Sequence, residues 1–205
     1  MHDIDKERIG DLCELMSIQV APRDLSGSLY IGLEHIASGR FVRAGGGVAA
    51  DVGSSKFRFN EGDVLYSKLR PYLDKAILAD ADGICTTELL VLRPKGGVDS
   101  RFLVGILHGR TFIDYAMSGV TGVQHPRTSW NWISSFQVPR LKPLERRRIG
   151  DVLWTLQRAV SISERKKAVL EELTSAFLTK LMAGSSPDLD TSMLGGAGAQ
   201  VEASA

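Results

Sequence analysis

The chain has 205 residues, with 25 lysines and arginines against 24 acidic residues, and 43% of it is hydrophobic. These values fit one globular domain with an appendage, and they exclude a chain that is disordered throughout. The sequence has no run of about 18 apolar residues that could span a bilayer, and its charged N-terminus differs from a signal peptide, so we expect a cytoplasmic protein. Two cysteines, Cys13 and Cys85, are too few for a disulfide scaffold or a cysteine-built zinc site.

The near-neutral total conceals an uneven distribution of charge. Residues 101–148 contain two acids and eight basic residues: Arg101, Arg110, Arg127, Arg140, Lys142, Arg146, Arg147 and Arg148. Residues 184–205 contain three acids and no lysine or arginine. Such asymmetry is typical of proteins that bind polyanions, and a solvated helix face with unused charge explains it equally well.

The first half of the chain is predicted to be rich in strands. Apolar residues at helical spacing predict a short helix over residues 5–16. From residue 28 onwards, alternating and apolar runs are typical of β-strands. We predict strands over residues 29–33, 40–43, 56–59, 63–69, 75–78 and 83–93.

The pattern returns to helical spacing after Asp99, which is placed to cap a helix that ends at Gly119. Residues 119–129 form an irregular stretch that glycine and proline punctuate. Trp130 and Trp132 then begin an apolar patch. We expect both indole rings to anchor the core, and stacking on nucleic-acid bases is the alternative.

The longest regular element is predicted over residues 144–182, directly after Pro143. Apolar residues recur there in alternating steps of four and three, as in a coiled coil. The candidate partner contacts are Leu153, Leu156, Val160, Leu170, Phe177 and Leu181. A continuous helix of this length would measure about 55–60 Å, more than one domain's core covers. We therefore expect a projecting helix that pairs with a partner, and a helix folded back on its own domain is the alternative.

These elements predict an α+β fold with three regions. Residues 1–143 form a β-rich domain, and residues 144–183 form the long coiled-coil-like helix. Residues 184–205 are rich in glycine, alanine and serine, which predicts a disordered tail.

The sequence has the pattern of a binding protein rather than an enzyme. Gly45, Gly46 and Gly47 fit a relaxed dinucleotide fingerprint, but no helix is predicted after them to hold a phosphate. The four histidines lack metal-ligand spacing, and Cys85 lies in a predicted strand, where we expect a buried, unreactive thiol. No nucleophile elbow and no phosphate-binding Walker loop is present.

Four strings of residues occur in an order that is familiar from one family. They are YIGLEHI at residues 30–36, FNEGDVLYSKLRPY at 59–72, DGICTTE at 82–88 with VLRP at 91–94, and VPRLKPLERRRI at 138–149. Over about residues 5–182, the chain resembles the DNA specificity subunit of Type I restriction–modification enzymes. It departs from the family's common Pro-Pro-Leu-x-Glu-Gln-Arg run, which stands here as KPLERR at residues 142–147.

The resemblance implies that residues 1–143 are a target recognition domain that reads half of a bipartite site in double-stranded DNA. Residues 144–183 would be a spacer and dimerisation helix on which modification subunits dock. The family's subunit is non-catalytic, because methylation and cleavage belong to the modification and restriction subunits. S-adenosylmethionine, ATP and Mg are accordingly expected only in those partners, and no cofactor is expected in this chain.

The family typically has two recognition domains and two helices, whereas this chain has one of each. We therefore expect a half-subunit that forms a homodimer or pairs with another half-subunit, and a truncated remnant is the alternative. A degenerate half-subunit that acts as a scaffold without reading DNA is the second function considered. A stand-alone hydrolase with an unrecognised site is the third.

The first candidate DNA contacts lie at the end of a predicted strand. Lys68, Arg70 and Lys75 surround Pro71 and Tyr72 there. Cations beside a rigid proline suit contacts with backbone phosphates, which position a protein on the duplex. Ordinary exposed cations, with Tyr72 in the core, are the alternative.

The second candidate segment is the irregular stretch, which carries Gln124, His125, Arg127 and Thr128. Glutamine can bond adenine and arginine can bond guanine in the major groove. We therefore expect this segment to read bases, and a surface loop with no ligand is the alternative.

Overall fold

A computed structural model of the protein describes residues 5–183. Within that range, the strands are β1 Lys6–Arg8, β2 Cys13–Met16, β3 Gln19–Val20, β4 Leu29–Ile31, β5 Gly47–Val48, β6 Lys56–Phe59, β7 Val64–Ser67, β8 Ala76–Leu78, β9 Gly83–Cys85, β10 Leu89–Pro94 and β11 Gln137–Pro139. The α-helices are α1 Ile9–Leu12, α2 Ser100–Leu107, α3 Arg110–Ser118, α4 Trp130–Ile133 and α5 Pro143–Met182. The predicted α+β fold, with a β-rich part and a long C-terminal helix, is confirmed. The tail predicted over residues 184–205 lies outside the described residues.

The strands form three sheets. An antiparallel four-stranded sheet has the order β2-β10-β7-β8. A five-stranded sheet has the order β3-β6-β9-β4-β5, in which β4 and β9 run parallel. The short strands β1 and β11 pair with each other, so they join the beginning of the chain to the segment that precedes α5.

The four-stranded sheet is buried on both faces. Successive side chains of a strand point to opposite faces, and along β10 they enter two different cores in turn. Leu90 and Leu92 pack with residues from α2, α3 and α4 in one core, which we call the helix-covered core. Leu89 and Val91 pack in the other core with residues from the five-stranded sheet. Burial on both faces explains why this strand is one continuous apolar run.

The helical region begins as predicted, but it consists of two helices. The Asp99 side chain caps α2 by accepting hydrogen bonds from the backbone N–H groups of Arg101 and Phe102. The predicted single helix is interrupted between α2 and α3, where Gly109 has an extended backbone. Gly109 N–H instead donates to the carbonyl of Ile106, which closes the end of α2.

Two predictions of local structure are wrong. Residues 5–16 form β1, one turn of helix and β2 instead of a single helix, because both strands find partners far along the chain in β11 and β10. Residues 40–43 form no strand, and Phe41 packs its ring into the helix-covered core. Tertiary pairing and packing outweigh local spacing in both places.

The long helix is present as α5, and the chain divides within it into two compact units, Met1–Arg158 and Ala159–Ala205. The predicted boundary lies earlier, after residue 143. In the first unit, Leu153 and Trp154 pack against the helix-covered core, and the Leu153 side chain lies against Gly105. Leu153, expected as a partner contact, is therefore placed in its own domain.

In the described part of the chain, none of the helices combines the length and apolar character that crossing a bilayer requires.

A buried ion pair fixes the first turn of α5 to β1. The Arg146 Nη2 atom donates to both carboxylate oxygens of Glu7, at 2.6 and 2.8 Å. The side chains are only 11% and 8% exposed, respectively. Removing one partner of such a pair leaves the other charge buried without compensation, which costs more than the intact pair contributes.

We expect Arg146→Ala to lower the free energy of unfolding by about 3 kcal/mol, because Glu7 then stays buried and unpaired. Urea unfolding followed by circular dichroism measures the change. Arg147→Ala is the matched control, since Arg147 is the next residue of the same helix but is exposed. We expect it to change stability by less than about 0.5 kcal/mol. Equal effects of the two substitutions would contradict a structural role for the pair.

Candidate nucleic-acid interface

The candidate site lies at one end of the four-stranded sheet, where β7 ends and β10 begins. The antiparallel register places Ser67 opposite Leu89. One residue further, the backbone N–H of Lys68 donates to the carbonyl of Glu88 at 3.1 Å. The predicted contacts Lys68 and Arg70 directly follow β7. The end of this strand is therefore held against the turn that precedes β10.

The irregular segment 119–129 is hydrogen-bonded to this strand end. Arg70 N–H donates to the Pro126 carbonyl at 2.8 Å, and Thr128 N–H donates to the Lys68 carbonyl at 3.0 Å. Leu69 and Arg127 thereby form an isolated antiparallel bridge. The two segments that were predicted separately to contact DNA therefore form one surface, which we call the loop platform: residues 68–70, Glu88 and 119–129.

The backbone of Arg70 is in the left-handed region, at φ 50° and ψ 66°. Residues other than glycine adopt this conformation at a cost of roughly 1–3 kcal/mol, so the surroundings must hold it in place. The hydrogen bond to Pro126 does so on one side. On the other side, the Arg70 carbonyl accepts from Leu73 N–H at 2.9 Å, which closes the Pro71–Leu73 turn.

Glu88 lies at the centre of the platform and binds Arg127 with both carboxylate oxygens. Arg127 Nε donates to Oε2 at 2.9 Å, and Arg127 Nη2 donates to Oε1 at 3.0 Å. The hydrogen bond from Arg127, with the positive charges of Arg127 and Lys68, lowers the pKa of Glu88 below its ordinary value of 4.5. The same carboxylate raises the pKa of Arg127. Both side chains are therefore charged at neutral pH.

The segment closes on itself and exposes its tip. The backbones of Thr121 and Arg127 exchange two hydrogen bonds of 3.0 Å. Between them, Gly122 adopts φ +85°, a conformation that side chains rarely take. Gln124 and His125 lie at this tip and are exposed, as the prediction of base contacts requires.

Two candidate contacts are placed differently from the expectation. Thr128 is buried, at 3% exposure, and its backbone N–H is bonded to the Lys68 carbonyl inside the platform. Its hydroxyl is therefore not presented to DNA. The Lys75 ammonium donates to the Leu33 carbonyl at 2.7 Å, so its charge serves a contact within the domain. Tyr72 is 52% exposed, which rejects the alternative that places it in the core.

The two tryptophans differ in environment. Trp130 packs against the helix-covered core, as expected. Trp132 stacks on Tyr115 with ring centroids 5.3 Å apart, and its indole N–H donates to the Tyr115 carbonyl at 2.9 Å. These contacts hold Trp132 against α3, although the residue is 39% exposed.

The positive charge of residues 101–148 is largely compensated within the fold. Five of the eight basic residues form ion pairs: Arg101 with Asp99 and Asp151, Arg110 with Asp114, Arg127 with Glu88, Arg140 with Asp5, and Arg146 with Glu7. All of these acids except Asp114 lie outside that part of the sequence. A local excess of charge in the sequence therefore does not create an equally basic surface.

Sequence reasoning missed Glu88. Residues 83–93 were predicted as one strand, whereas Glu88 lies in the turn between β9 and β10, which belong to different sheets. The available signal was the interruption of an otherwise apolar run by Thr86, Thr87 and Glu88. The sequence does not indicate a partner for this carboxylate, and the fold places Arg127 beside it.

The described residues contain no group of histidine, cysteine or acidic side chains that could hold a metal ion. The expectation for Cys85 is confirmed, because it is a buried free thiol, and burial raises its pKa to about 12. Cys13 is buried as well, and desolvation likewise raises its pKa to about 12. Neither thiol is a nucleophile at neutral pH.

Comparison with known proteins supports the resemblance seen in the sequence. No protein-family model matches the chain. The chain is 28% identical over 134 residues to the Type I restriction enzyme EcoDI specificity subunit of Escherichia coli, a match that covers 64% of this chain and 30% of that protein.

Solved structures of Type I specificity subunits share the fold. The HsdS subunit from Thermoanaerobacter tengcongensis superposes with a TM-score of 0.63 at 21% identity, over 91% of this chain and 50% of that one. The S subunit from M. genitalium gives 0.60 at 15% identity, over 89% and 47%. A chain from a structural study of assembly and conformational transition in the type I R-M system gives 0.67 at 19% identity, over 93% and 53%.

These findings confirm that the chain is similar to the specificity subunits of Type I restriction–modification systems. The sequence match establishes the similarity, and the solved structures establish the shared fold. The chain spans about half the length of the solved relatives and 30% of the curated one.

The lowered pKa of Glu88 predicts how the loop platform responds to acid. Because folding lowers the pKa of Glu88, its ion pair with Arg127 stabilises the folded protein fully above pH 4.5, the ordinary pKa of glutamate. This stabilisation is lost as the pH falls through the lowered pKa. We expect the NMR signal of the Glu88 side-chain carboxyl carbon to stay constant above pH 4.5 and to shift only in stronger acid. The Glu88→Gln variant should show no such titration. A midpoint above the ordinary glutamate value would contradict the assignment.

Proposed function

We propose that the chain is the DNA-recognition subunit of a Type I restriction–modification or methyltransferase complex and that it reads one half of a bipartite site. The observation that carries the proposal is the loop platform. Residues 68–70 and 119–129, which are distant in sequence and carry side chains suited to DNA contacts, are joined by backbone hydrogen bonds into one surface. The chain that carries this surface is similar to a specificity subunit. The proposed partners are double-stranded DNA, modification subunits and restriction subunits.

In this proposal the chain is not an enzyme. Methylation and cleavage take place in the partner subunits, which hold S-adenosylmethionine, ATP and Mg. The chain contributes only the position and the sequence preference of the complex.

The platform divides DNA contacts between a rigid part and an exposed tip. Lys68 and Arg70 follow a buried strand, and the backbone on both sides of them is hydrogen-bonded. This rigidity suits contacts with the regular phosphate backbone. Gln124 and His125 are exposed at the loop tip and present donors and acceptors, which suits contacts with base edges.

Removing a phosphate contact and removing a base contact should change the affinity for DNA in different ways. We expect Arg70→Ala to weaken binding to cognate and scrambled duplexes alike, and to make the slope of log K against log salt shallower by about 0.9, because one phosphate contact is lost. We expect Gln124→Ala to cost about 1–3 kcal/mol at the cognate site and much less at a scrambled site. Competition titrations at several salt concentrations measure both effects.

Methylation mapping of a host genome with and without the gene supplies the cognate sequence for these titrations. Arg23→Ala is the control for loss of an exposed arginine outside the platform. If Gln124→Ala lowers both affinities by the same factor, the tip does not read bases. If neither variant has an effect, readout lies elsewhere, and the glycine-rich residues 40–56 become the next candidate.

A scaffold without DNA readout is the second candidate function, and two observations favour it. Most basic residues of the span 101–148 are paired inside the protein, which weakens attraction to a polyanion. Helix α5 also exposes large apolar residues that suit protein contacts. A salt-independent affinity, or no duplex binding in the presence of modification subunits, would favour this candidate over DNA recognition.

We also propose that α5 pairs with a second copy of the chain or with another half-subunit. The predicted contacts Leu156, Val160, Leu170, Phe177 and Leu181 are all exposed in the single chain. Leu153 is the exception, since it packs in its own domain. Exposed apolar side chains at this spacing are stabilised when a facing helix removes them from water.

We expect Leu156→Asp combined with Leu170→Asp to shift the protein towards the monomer in analytical ultracentrifugation, because two charges enter the apolar seam. Thr155→Asp combined with Thr179→Asp is the matched control. It adds the same charge at exposed positions outside the 4–3 spacing and should leave the mass unchanged. A wild-type protein that is already monomeric, with no change in the double variant, would contradict pairing.

A further inference from the structure

Arg127 has hydrogen-bonding capacity that the platform does not use. A guanidinium group carries five N–H donors. Three of them are engaged: Nε and Nη2 bind Glu88, and Nη1 donates to the His125 carbonyl at 3.3 Å. By this count one N–H remains on each of the two terminal nitrogens, and the side chain is 41% exposed.

The two remaining N–H groups match one base in particular. Guanine presents two adjacent acceptors, O6 and N7, in the major groove, and a pair of arginine N–H groups bonds both of them at once. Adenine presents an acceptor beside a donor, so it cannot accept both bonds. Lysine could not replace the arginine here, because a single ammonium lacks the planar fork.

The platform fixes where these groups lie. The backbone of Arg127 is bridged to Leu69 on one side and hydrogen-bonded to Thr121 on the other. Glu88 is itself held through its carbonyl by Lys68 N–H, and its carboxylate sets the plane of the guanidinium. A side chain that is ordered before binding loses less conformational entropy when it binds.

From these contacts, and on the basis of the function proposed above, we infer that Glu88 is a positioning residue that orients Arg127 to recognise a guanine in the half-site. Glu88 does not touch the base. It acts by fixing the direction in which the unused N–H groups of Arg127 point.

The negative charge of Glu88 gives this role a distinctive signature. Glu88 neutralises much of the attraction that Arg127 would otherwise exert on any phosphate, while it leaves two directional donors available. Removing the carboxylate should therefore have opposite effects on two quantities. Affinity for arbitrary DNA should rise, because positive charge is uncovered, whereas preference for guanine should fall, because Arg127 loses its fixed direction.

A selection experiment with the full chain measures both quantities. The probe is a pool of duplexes with a randomised central segment, which is sequenced before and after binding. We expect the wild type to enrich a motif that contains a guanine, and Arg127→Lys to lose that preference by about 5- to 100-fold. We expect Glu88→Ala to lose it by about 3- to 10-fold, as is typical of coupling within one ion-pair network. Glu88→Ala should also bind a scrambled duplex more tightly.

Asp114→Ala is the matched control. It removes the carboxylate partner of Arg110, an ion pair on α3 that lies outside the platform. This variant uncovers a positive charge in the same way, but it should leave the guanine preference unchanged. The contrast separates the loss of orientation from a general change in charge.

Several outcomes would overturn the inference while leaving the proposed function intact. The inference fails if the wild type enriches a motif whose preferences survive Arg127→Lys. It fails equally if Glu88→Ala sharpens the guanine preference, since Glu88 would then mask Arg127 instead of orienting it. A wild type that enriches no motif, alone or with modification subunits, would end the proposed function itself. Amide exchange at Thr121 and Arg127 in the DNA-free Glu88→Ala variant then still shows whether Glu88 orders the loop.

Discussion

The antiparallel pairing of β7 with β10 is the constraint on which the rest of the structure depends. These strands form the middle of a sheet that is covered on both faces, so a shift of one residue would exchange the contents of two cores. The register is therefore strongly specified. The same register places Lys68 beside Glu88, and Glu88 in turn holds Arg127. The position of a surface loop is thus a consequence of core packing.

Elements that depend on their own sequence were predictable, and elements that depend on distant partners were not. Alternation and apolar runs located β6, β7 and β10, because burial on one or both faces imposes those patterns. The length and spacing of α5 identified it for a similar reason. Residues 5–16 misled the prediction, since a few apolar residues fit a helical spacing while the chain pairs there with β11 and β10. The energy that decides the outcome comes from strands more than 70 residues away along the chain.

For the candidate site, residue types indicated chemistry but not arrangement. The cations of one segment and the polar side chains of the other suggested nucleic-acid contacts from their chemistry alone. That the segments 68–70 and 119–129 are bonded together depends on the fold, as does the burial of Thr128. The charge count was misleading for the same reason, because all but one of the acids that pair with the basic span come from other parts of the chain. An ion pair is a property of positions in space, and local composition does not record it.

The platform combines two requirements that conflict in most loops. A reading surface needs exposed side chains that can vary, whereas selectivity needs those side chains to be held in place. Here the backbone of the loop is fixed near its C-terminal end by Arg70, Lys68 and Thr121, and the side chain of Arg127 is fixed by Glu88. Between Gly122 and Pro126, the tip is held at its two ends and by one hydrogen bond from Arg127 Nη1 to the backbone carbonyl of His125. Residues at the tip can therefore change without disturbing the strand pairing, and the conformation of the loop is set by residues outside it. Under the proposed function, this separation would let one scaffold present different chemistry at the same position against a duplex.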